Sequence, residues 1–216
     1  MANRLALPPL YVILDAALLP SDPIEFLKKL MGAGVGLFQY RNKTAPAREI
    51  LQAAQALNVT ARQEGANFLL NDRPDIARLS GASGVHLGQE DLPVAAARKI
   101  VGVGAMVGIS THNLEQFRAA METDADYIAI GPIFETRSKG KPDPVVGLEL
   151  IREARGLTNM PIVAIGGITL ERARSVIEAG ADSVAVISDV LAARNPAARV
   201  KQYLEILPVV AQPATN

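Results

Sequence analysis

The stretch GADSVAVIS, residues 180–188, contains the pattern on which the fold depends. It reads as a helix-ending Gly, a short turn, and then strand-forming residues that stop at a polar side chain. Earlier in the chain the same pattern occurs as GAGVGLFQYR from Gly32, GANFLLND from Gly65, GASGVHLG from Gly81 and DADYIAIG from Asp124. Stretches with helical periodicity lie between these strands, so the sequence predicts a strand followed by a helix, repeated along the chain.

Counting these units gives eight strands. They are predicted at about 10–14, 36–41, 67–70, 84–87, 105–109, 127–131, 161–165 and 183–187, and the helices include 46–64, 93–101, 113–122, 147–156, 169–179 and 196–206. The strands are continuous apolar runs, as in a parallel sheet that is buried on both faces. Eight units in 216 residues favour an α/β fold, a (β/α)8 TIM barrel that occupies residues 1–216 as a single domain. An open, doubly wound sheet is the alternative, because strand closure cannot be seen in a sequence.

Composition narrows the function. The chain has 22 basic and 22 acidic side chains, which argues against non-specific nucleic-acid binding. It has no cysteine and only two histidines, so any metal should be a hard ion that prefers oxygen ligands. No run approaches the ~18 apolar residues of a membrane span. The opening MANRLALPPLYVILDAALLP is interpreted as a first core strand and not a signal peptide, which predicts a cytoplasmic protein; the oligomeric state, a homo-oligomer included, stays open.

In a barrel of this kind the active site lies at the carboxyl ends of the strands. The polar residues and glycines that stop each strand are therefore expected to converge: Asp15, Gln39, Arg41, Asn71, Asp72, His86, Ser110, Gly131, Gly166, Gly167 and Ser188.

Two carboxylates at this rim predict a magnesium site. Asp72 ends strand three in FLLNDRPDIA, and Asp91 follows strand four in GVHLGQEDLP. Since these strands are neighbours, both carboxylates could share one Mg²⁺ that keeps several waters and meets a substrate diphosphate. The alternative for Asp91 is a cap on the helix that follows it.

Three further stretches predict anion binding. Gln39, Arg41 and Lys43 present three donors that suit a phosphate or diphosphate, although a solvent-facing ion-paired strand end is an equal alternative. Gly166-Gly167 and Ser188 end strands seven and eight, which form the usual phosphate site of this barrel. The loop GPIFETRSKGKPDP adds Thr136, Ser138 and Lys139, with a solvated flexible loop as the alternative.

The remaining polar rim residues do not form a nucleophile with its base. Asn113 or Thr111, with Glu115, is predicted to cap the helix after strand five. His112 is interpreted as a capping or packing residue in preference to a general base, and His86 as a satisfied core residue.

The motifs QYRNK, NDRPDIA, GVHLGQEDLP, GISTH, DYIAIGPIFETRSK, AIGGI and GADSVAVIS, in this order, resemble the thiamine-phosphate synthase family over about residues 10 to 190. The resemblance implies that a hydroxymethylpyrimidine diphosphate is joined to a thiazole phosphate, giving thiamine phosphate and pyrophosphate. It also implies that the pyrimidine diphosphate ionises first and that the thiazole nitrogen captures the cation. Such a mechanism needs little acid–base chemistry, in agreement with the missing nucleophile–base pair.

Site residues follow from the resemblance position by position. The pyrimidine diphosphate site would comprise Gln39, Tyr40, Arg41, Asn42, Lys43, Asn71, Ser110 and Lys139, and the catalytic residues would be Arg41, Lys43, Ser110 and Lys139. The thiazole phosphate site would comprise Thr136, Arg137, Ser138, Gly167, Ile187 and Ser188, and Mg²⁺ would be bound by Asp72 and Asp91.

The chain departs from the family's pattern next to the thiazole phosphate site. The family often has Thr where this chain has Ser138, and it usually has a small or apolar residue where this chain has Asp189. The Asp189 carboxylate would repel a phosphate unless its side chain points away. Competing functions are a thiazole tautomerase of the same barrel family, a sugar-phosphate isomerase or epimerase, and a non-catalytic ligand sensor; the two metal carboxylates favour the synthase.

Overall fold

The computed structural model describes residues 5–136 and 144–208. Its strands are Leu10–Asp15 (β1), Leu37–Arg41 (β2), Asn67–Asn71 (β3), Gly84–Leu87 (β4), Met106–Thr111 (β5), Tyr127–Ile130 (β6), Ile162–Ile165 (β7) and Ser183–Val186 (β8). Each strand pairs in parallel with the next, and β8 pairs with β1, which closes the barrel. The predicted (β/α)8 barrel is confirmed, and the closure excludes the open sheet.

Helices follow the strands around the outside. They are Pro23–Gly32 (α1), Ala47–Gln63 (α2), Pro74–Ser80 (α3), Val94–Val101 (α4), Leu114–Met121 (α5), Gly147–Leu157 (α6), Leu170–Glu178 (α7), Ser188–Leu191 (α8) and Pro196–Ile206 (α9). The predicted helices agree with these bounds to within about two residues. Across the described parts of the chain, no helix combines the length and apolar content needed to cross a membrane.

Alternation along the strands sorts the core into two layers. Tyr11 and Ile13 belong to an inner cluster in the barrel lumen, whereas Val12 and Leu14 belong to an outer cluster between sheet and helices. Both layers are apolar, which is why the strands read as unbroken apolar runs. Towards the carboxyl ends of the strands the inward positions become polar, and these side chains form the site.

The amino-terminal end of the barrel is held by a repeated device. Ser83, Asp126 and Asp182 occupy the same place in the recurring sequence unit, immediately before an even-numbered strand. Each side chain accepts a hydrogen bond from a backbone N–H near the start of the preceding strand; the donors are those of Phe68, Val107 and Ile162. The device therefore sets the register between neighbouring strands.

Two arginines reinforce this device. Arg98 of α4 pairs with Asp126 at 2.7 Å, and Arg155 of α6 pairs with Asp182 at 2.9 Å. Arg155 also donates to the carbonyl oxygens of Thr158 and Met160 in the turn before β7. These partly buried ion pairs lie at the end of the barrel opposite the site, where they support the fold.

Candidate active site

A cavity of about 1030 Å³ opens at the carboxyl end of the barrel. Its lining contains most of the rim residues predicted from the sequence: Gln39, Arg41, Asn71, Asp72, His86, Ser110, Gly131, Gly166, Gly167 and Ser188. Lys43, Asp91, Thr136 and Ile187 line it as well. Residues from distant parts of the chain thus meet in one cavity, as the barrel geometry predicts.

A chain of hydrogen bonds between buried side chains forms the floor of the cavity. Gln39 Nε2 donates to Tyr11 Oη at 2.7 Å, and this hydroxyl lies 3.2 Å from Tyr127 Oη. His86 connects Tyr127 Oη to Ser110 Oγ, with 2.8 Å on each side. This row of hydrogen bonds joins side chains from five strands and fixes the orientations of Gln39, His86 and Ser110.

Tyr11 and Tyr127, the two tyrosines in these hydrogen bonds, are neutral. Burial raises the pKa of Tyr11 to about 12 and raises the pKa of Tyr127 well above its ordinary value. Gly108 makes room for the second ring, because a Cβ at position 108 would lie 2.0 Å from Tyr127 Cζ. The floor is therefore polar and tightly packed, its two tyrosines are neutral, and His86 combines the expected core role with a place in the cavity lining.

Two cations lie at the β2 side of the cavity, each paired with a carboxylate. Arg41 forms an ion pair with Asp15, which is 8% exposed and also accepts a hydrogen bond from the Ala17 N–H. Lys43 forms an ion pair with Asp72. The Lys43 side chain is 51% exposed, whereas that of Arg41 is 19% exposed. Arg41 is thus held in place, and Lys43 has room to move.

The structure does not bring Tyr40 and Asn42 into the cavity lining. Tyr40 alternates with Gln39 and Arg41, so its side chain packs in the outer cluster. The Asn42 side chain donates to Tyr40 Oη and accepts from the backbone N–H groups of Thr44 and Ala45. These two residues shape the turn after β2 and support Arg41 and Lys43.

The predicted metal carboxylates lie side by side. Asp72 has the left-handed φ of 63°, and Asp91 Oδ2 accepts a hydrogen bond from the Gly88 N–H at 2.7 Å. Burial raises the pKa of Asp72, and so does the neighbouring Asp91, while Lys43 opposes the shift. Two adjacent carboxylates, one of them already paired with an ammonium group, are an oxygen donor set that fits a hard cation. In residues 5–136 and 144–208, no cluster of three or more His, Cys, Asp or Glu side chains could hold a metal.

The alternative role of Asp91 as a helix cap is wrong. Helix α4 begins at Val94 after Pro93, and no side chain caps it. Asp91 instead closes the β4–α4 turn through Gly88. A Cβ at Gly88 would lie 3.1 Å from Asp91 Oδ2, so a glycine suits this close approach.

The β7 and β8 ends form the opposite side of the cavity. Gly166 and Gly167 have φ values of 101° and 62°, which favour glycine. A Cβ at Gly167 would lie 2.3 Å from the Glu135 carbonyl oxygen. Ile187 and Ser188 line the cavity beside them. Of the predicted residues from the loop after β6, Thr136 lines the cavity, whereas Arg137, Ser138 and Lys139 lie outside the described residues.

Arg172 of α7 is a lining residue that the sequence interpretation missed. Its Nη1 donates to the Gly167 carbonyl oxygen at 2.8 Å, and its guanidinium carbon lies 4.7 Å from the centroid of the Phe134 ring. The sequence signal that could have identified it is a basic residue five positions after Gly167, in the first turn of the predicted helix 169–179.

The cap of α5 was predicted only in part. Asn113 accepts from the Gln116 N–H at 2.8 Å, and Gln116 Oε1 accepts from the His112 N–H at 2.7 Å. Gln116 therefore completes the cap in the place predicted for Glu115. His112 Nδ1 is hydrogen-bonded to the Gly131 carbonyl oxygen, which fits a structural role.

A closed parallel barrel with cations, carboxylates and paired glycines around one cavity at the carboxyl ends of its strands has the architecture of a TIM-barrel enzyme. The chain belongs to the thiamine monophosphate synthase family, whose model matches residues 10–190. This confirms the resemblance found in the sequence.

Known proteins are similar to this chain over nearly its full length. A thiamine-phosphate synthase of Koribacter versatilis is 51% identical over 212 residues, covering 96% of this chain and 99% of the relative. One from Chlorobium phaeovibrioides is 44% identical and covers 89% of this chain and 90% of the relative. The structure of thiamine phosphate pyrophosphorylase from Pyrococcus furiosus is similar with a TM-score of 0.83 and 35% identity, over 91% of this chain and 94% of that one.

Proposed function

We propose that this chain is a transferase of thiamine biosynthesis that joins a hydroxymethylpyrimidine diphosphate to a thiazole phosphate, producing thiamine phosphate and pyrophosphate. The observation that carries the proposal is a single cavity with groups suited to an anion on two of its sides. Arg41, Lys43 and the Asp72–Asp91 pair lie on one side, and Gly166-Gly167 with Ser188 lie on the side formed by β7 and β8. Family membership supports the same reaction.

The reaction breaks the C–O bond between the pyrimidine methylene and the diphosphate, and the electron pair leaves with pyrophosphate. The thiazole nitrogen then donates its lone pair to the methylene cation and forms the new C–N bond. Arg41 and Lys43 would stabilise the charge that develops on the departing pyrophosphate. Because Asp15 holds Arg41 in place, that cation needs little reorganisation during the reaction.

The hydrogen-bonded floor suits a cationic intermediate. Gln39, the two tyrosines and Ser110 offer neutral dipoles, and His86 is hydrogen-bonded between Tyr127 and Ser110. Neutral dipoles that are held in fixed orientations can stabilise a nearby cation without attacking it as nucleophiles. We propose that Ser110 and Gln39 orient the pyrimidine and that Asn71 contacts its diphosphate.

A magnesium ion fits the carboxylate pair. We propose that Asp72 and Asp91 hold it, and that it would supply positive charge to the substrate diphosphate. The ion pair between Lys43 and Asp72 supports this role, since it shows that positive charge is stable at this carboxylate.

The second substrate is assigned to the other side of the cavity. Thr136, Gly167, Ile187 and Ser188 are proposed to bind the thiazole phosphate, partly through the backbone N–H groups of the paired glycines. Arg137, Ser138 and Lys139 are assigned from the family resemblance alone, with Lys139 at the diphosphate. The thiazole tautomerase alternative is not favoured, because it would not require both Asp72 and Asp91.

Incubation of the purified protein with both substrates and Mg²⁺ tests the proposal. We expect equal amounts of thiamine phosphate and pyrophosphate, measured by chromatography and a coupled pyrophosphate assay. Omitting either substrate should abolish thiamine phosphate formation. Conversion of the thiazole phosphate alone, with no coupling to the pyrimidine, would instead establish a tautomerase.

The cytoplasmic location and the single-domain organisation remain predictions, and the oligomeric state stays open. Light scattering on the purified protein would measure the oligomeric state, and limited proteolysis would test the domain organisation.

A further inference from the structure

Asp189 places a negative charge next to the proposed thiazole phosphate site. It directly follows Ser188, and both residues line the cavity. A carboxylate free to turn towards the ligand would repel a phosphate, because like charges a few ångströms apart repel each other near a protein surface. The position of this side chain therefore matters for phosphate affinity.

Two residues of α9 hold the Asp189 carboxylate. Tyr203 Oη donates to Asp189 Oδ2 at 2.7 Å, and Arg199 Nη1 lies 3.5 Å from the same oxygen. Residues 199 and 203 are one helical turn apart, so both side chains extend from the same face of α9. The carboxylate is thus held by a hydrogen bond and paired with a positive charge.

The surroundings make this arrangement stable. Tyr203 is fully buried, and burial together with Asp189 raises the pKa of its phenol, so the hydroxyl remains a donor. The Asp189 side chain is 18% exposed and that of Arg199 is 29% exposed. On its other side Arg199 lies 4.0 Å from Glu171, whose side chain is 75% exposed.

We infer that Tyr203 and Arg199 are positioning residues for the phosphate site: they keep the Asp189 carboxylate turned away from the ligand and neutralised. None of the described residues that line the cavity comes from α9, so this helix would act on the site only through Asp189. The inference rests on the proposed function, because it takes the ligand beside Ser188 to be the thiazole phosphate.

Steady-state kinetics of Tyr203→Phe test the inference. The variant keeps the buried ring and removes only the hydroxyl that restrains Asp189. The KM for thiazole phosphate should rise about tenfold, as expected for one screened like-charge contact, with little change in kcat or in the KM for the pyrimidine diphosphate. Arg199→Gln should act in the same direction, whereas Arg174→Gln, which removes an exposed ion pair on α7, should have no effect.

The double variant Asp189→Ser with Tyr203→Phe separates positioning from packing. If the freed carboxylate causes the defect, its removal should return the KM for thiazole phosphate to near the wild-type value. A KM that is unchanged in Tyr203→Phe, or that stays high in the double variant, would overturn the inference. Failure of the wild-type protein to form thiamine phosphate would instead reject the proposed function.

Discussion

Asp72→Asn should lower the activity of this protein and raise its stability at pH 7. The substitution keeps the shape of the side chain and removes its charge. Asn adopts left-handed backbone conformations more readily than most residues, so the φ of 63° at this position should persist. Any effect can therefore be assigned to the lost charge.

The pKa shift fixes the sign of the stability change. Folding raises the pKa of Asp72, chiefly through burial, so the folded state favours the neutral carboxyl. The ionised carboxylate thus costs stability above its ordinary pKa of about 3.9, and this cost disappears as the pH falls below that value. At pH 7 Asp72→Asn should unfold at a higher temperature than the wild type, and the difference should shrink towards pH 4.

The activity should change in the opposite direction. Losing one preorganised charged contact in an active site typically lowers turnover by about 10²–10³-fold. The variant should also need more Mg²⁺, because one carboxylate of the pair is gone. By linkage, the pyrimidine diphosphate and Mg²⁺ should strengthen each other's binding by the same factor in the wild type. In the variant this coupling should weaken.

Asp75→Asn is a matched control from the same stretch, NDRPD. Asp75 is half exposed and pairs with Arg73, which lowers the pKa of Asp75. Its ionised form therefore stabilises the folded state, and Asp75→Asn should lose at most about 1 kcal/mol at pH 7 and keep full activity. Thermal unfolding between pH 4 and 8, steady-state rates across Mg²⁺ concentrations, and calorimetric titrations measure these effects. Full activity of Asp72→Asn at low Mg²⁺ or in EDTA would refute the metal assignment, and a lower melting temperature at pH 7 would refute the burial argument.

Three further substitutions test other parts of the structure. Gly167→Val should raise the KM for thiazole phosphate at least about tenfold, since a Cβ there would meet the Glu135 carbonyl oxygen at 2.3 Å and shift the loop. If steady-state kinetics showed a loss of pyrimidine diphosphate affinity alone, the two sites would be reversed. Gly108→Ala should lower the free energy of unfolding by about 1–3 kcal/mol through its clash with Tyr127, and an unchanged denaturant midpoint would contradict this packing. Arg155→Met should cost about 2 kcal/mol of stability at the far end of the barrel while both KM values stay the same; a changed KM would show that the two ends are coupled.

The barrel could be predicted from the sequence because each unit repeats the same order of glycine, strand formers and a polar stop. That order also predicted the convergence of Gln39, Arg41, Asn71 and Ser110, since strand direction and alternation are sufficient to place them. Alternation also separates Tyr40 from these residues, although the family motif groups them together.

Contacts between side chains from distant strands could not be predicted. Tyr11 and Tyr127 are 116 residues apart, and nothing in their local sequence indicates that their hydroxyls meet. Gly108 reads as an ordinary strand glycine until the ring opposite it is known. The contact of Asp91 with Gly88 is local, but it competes with a helix cap that looks equally good in the sequence.

The hydrogen bonds across the lumen join side chains from the two halves of the barrel. Gln39 and Tyr11 come from the first two strands, whereas His86, Ser110 and Tyr127 come from β4 to β6. In a fragment that ends before β4, Tyr11 Oη would keep the hydrogen bond from Gln39 and lose only its contact with Tyr127, which is worth about 0.5–1.5 kcal/mol. A cut after β3 separates the two residues of the Tyr11–Tyr127 contact, so the hydrogen bonds of the cavity floor are complete only when β1 to β6 are all present.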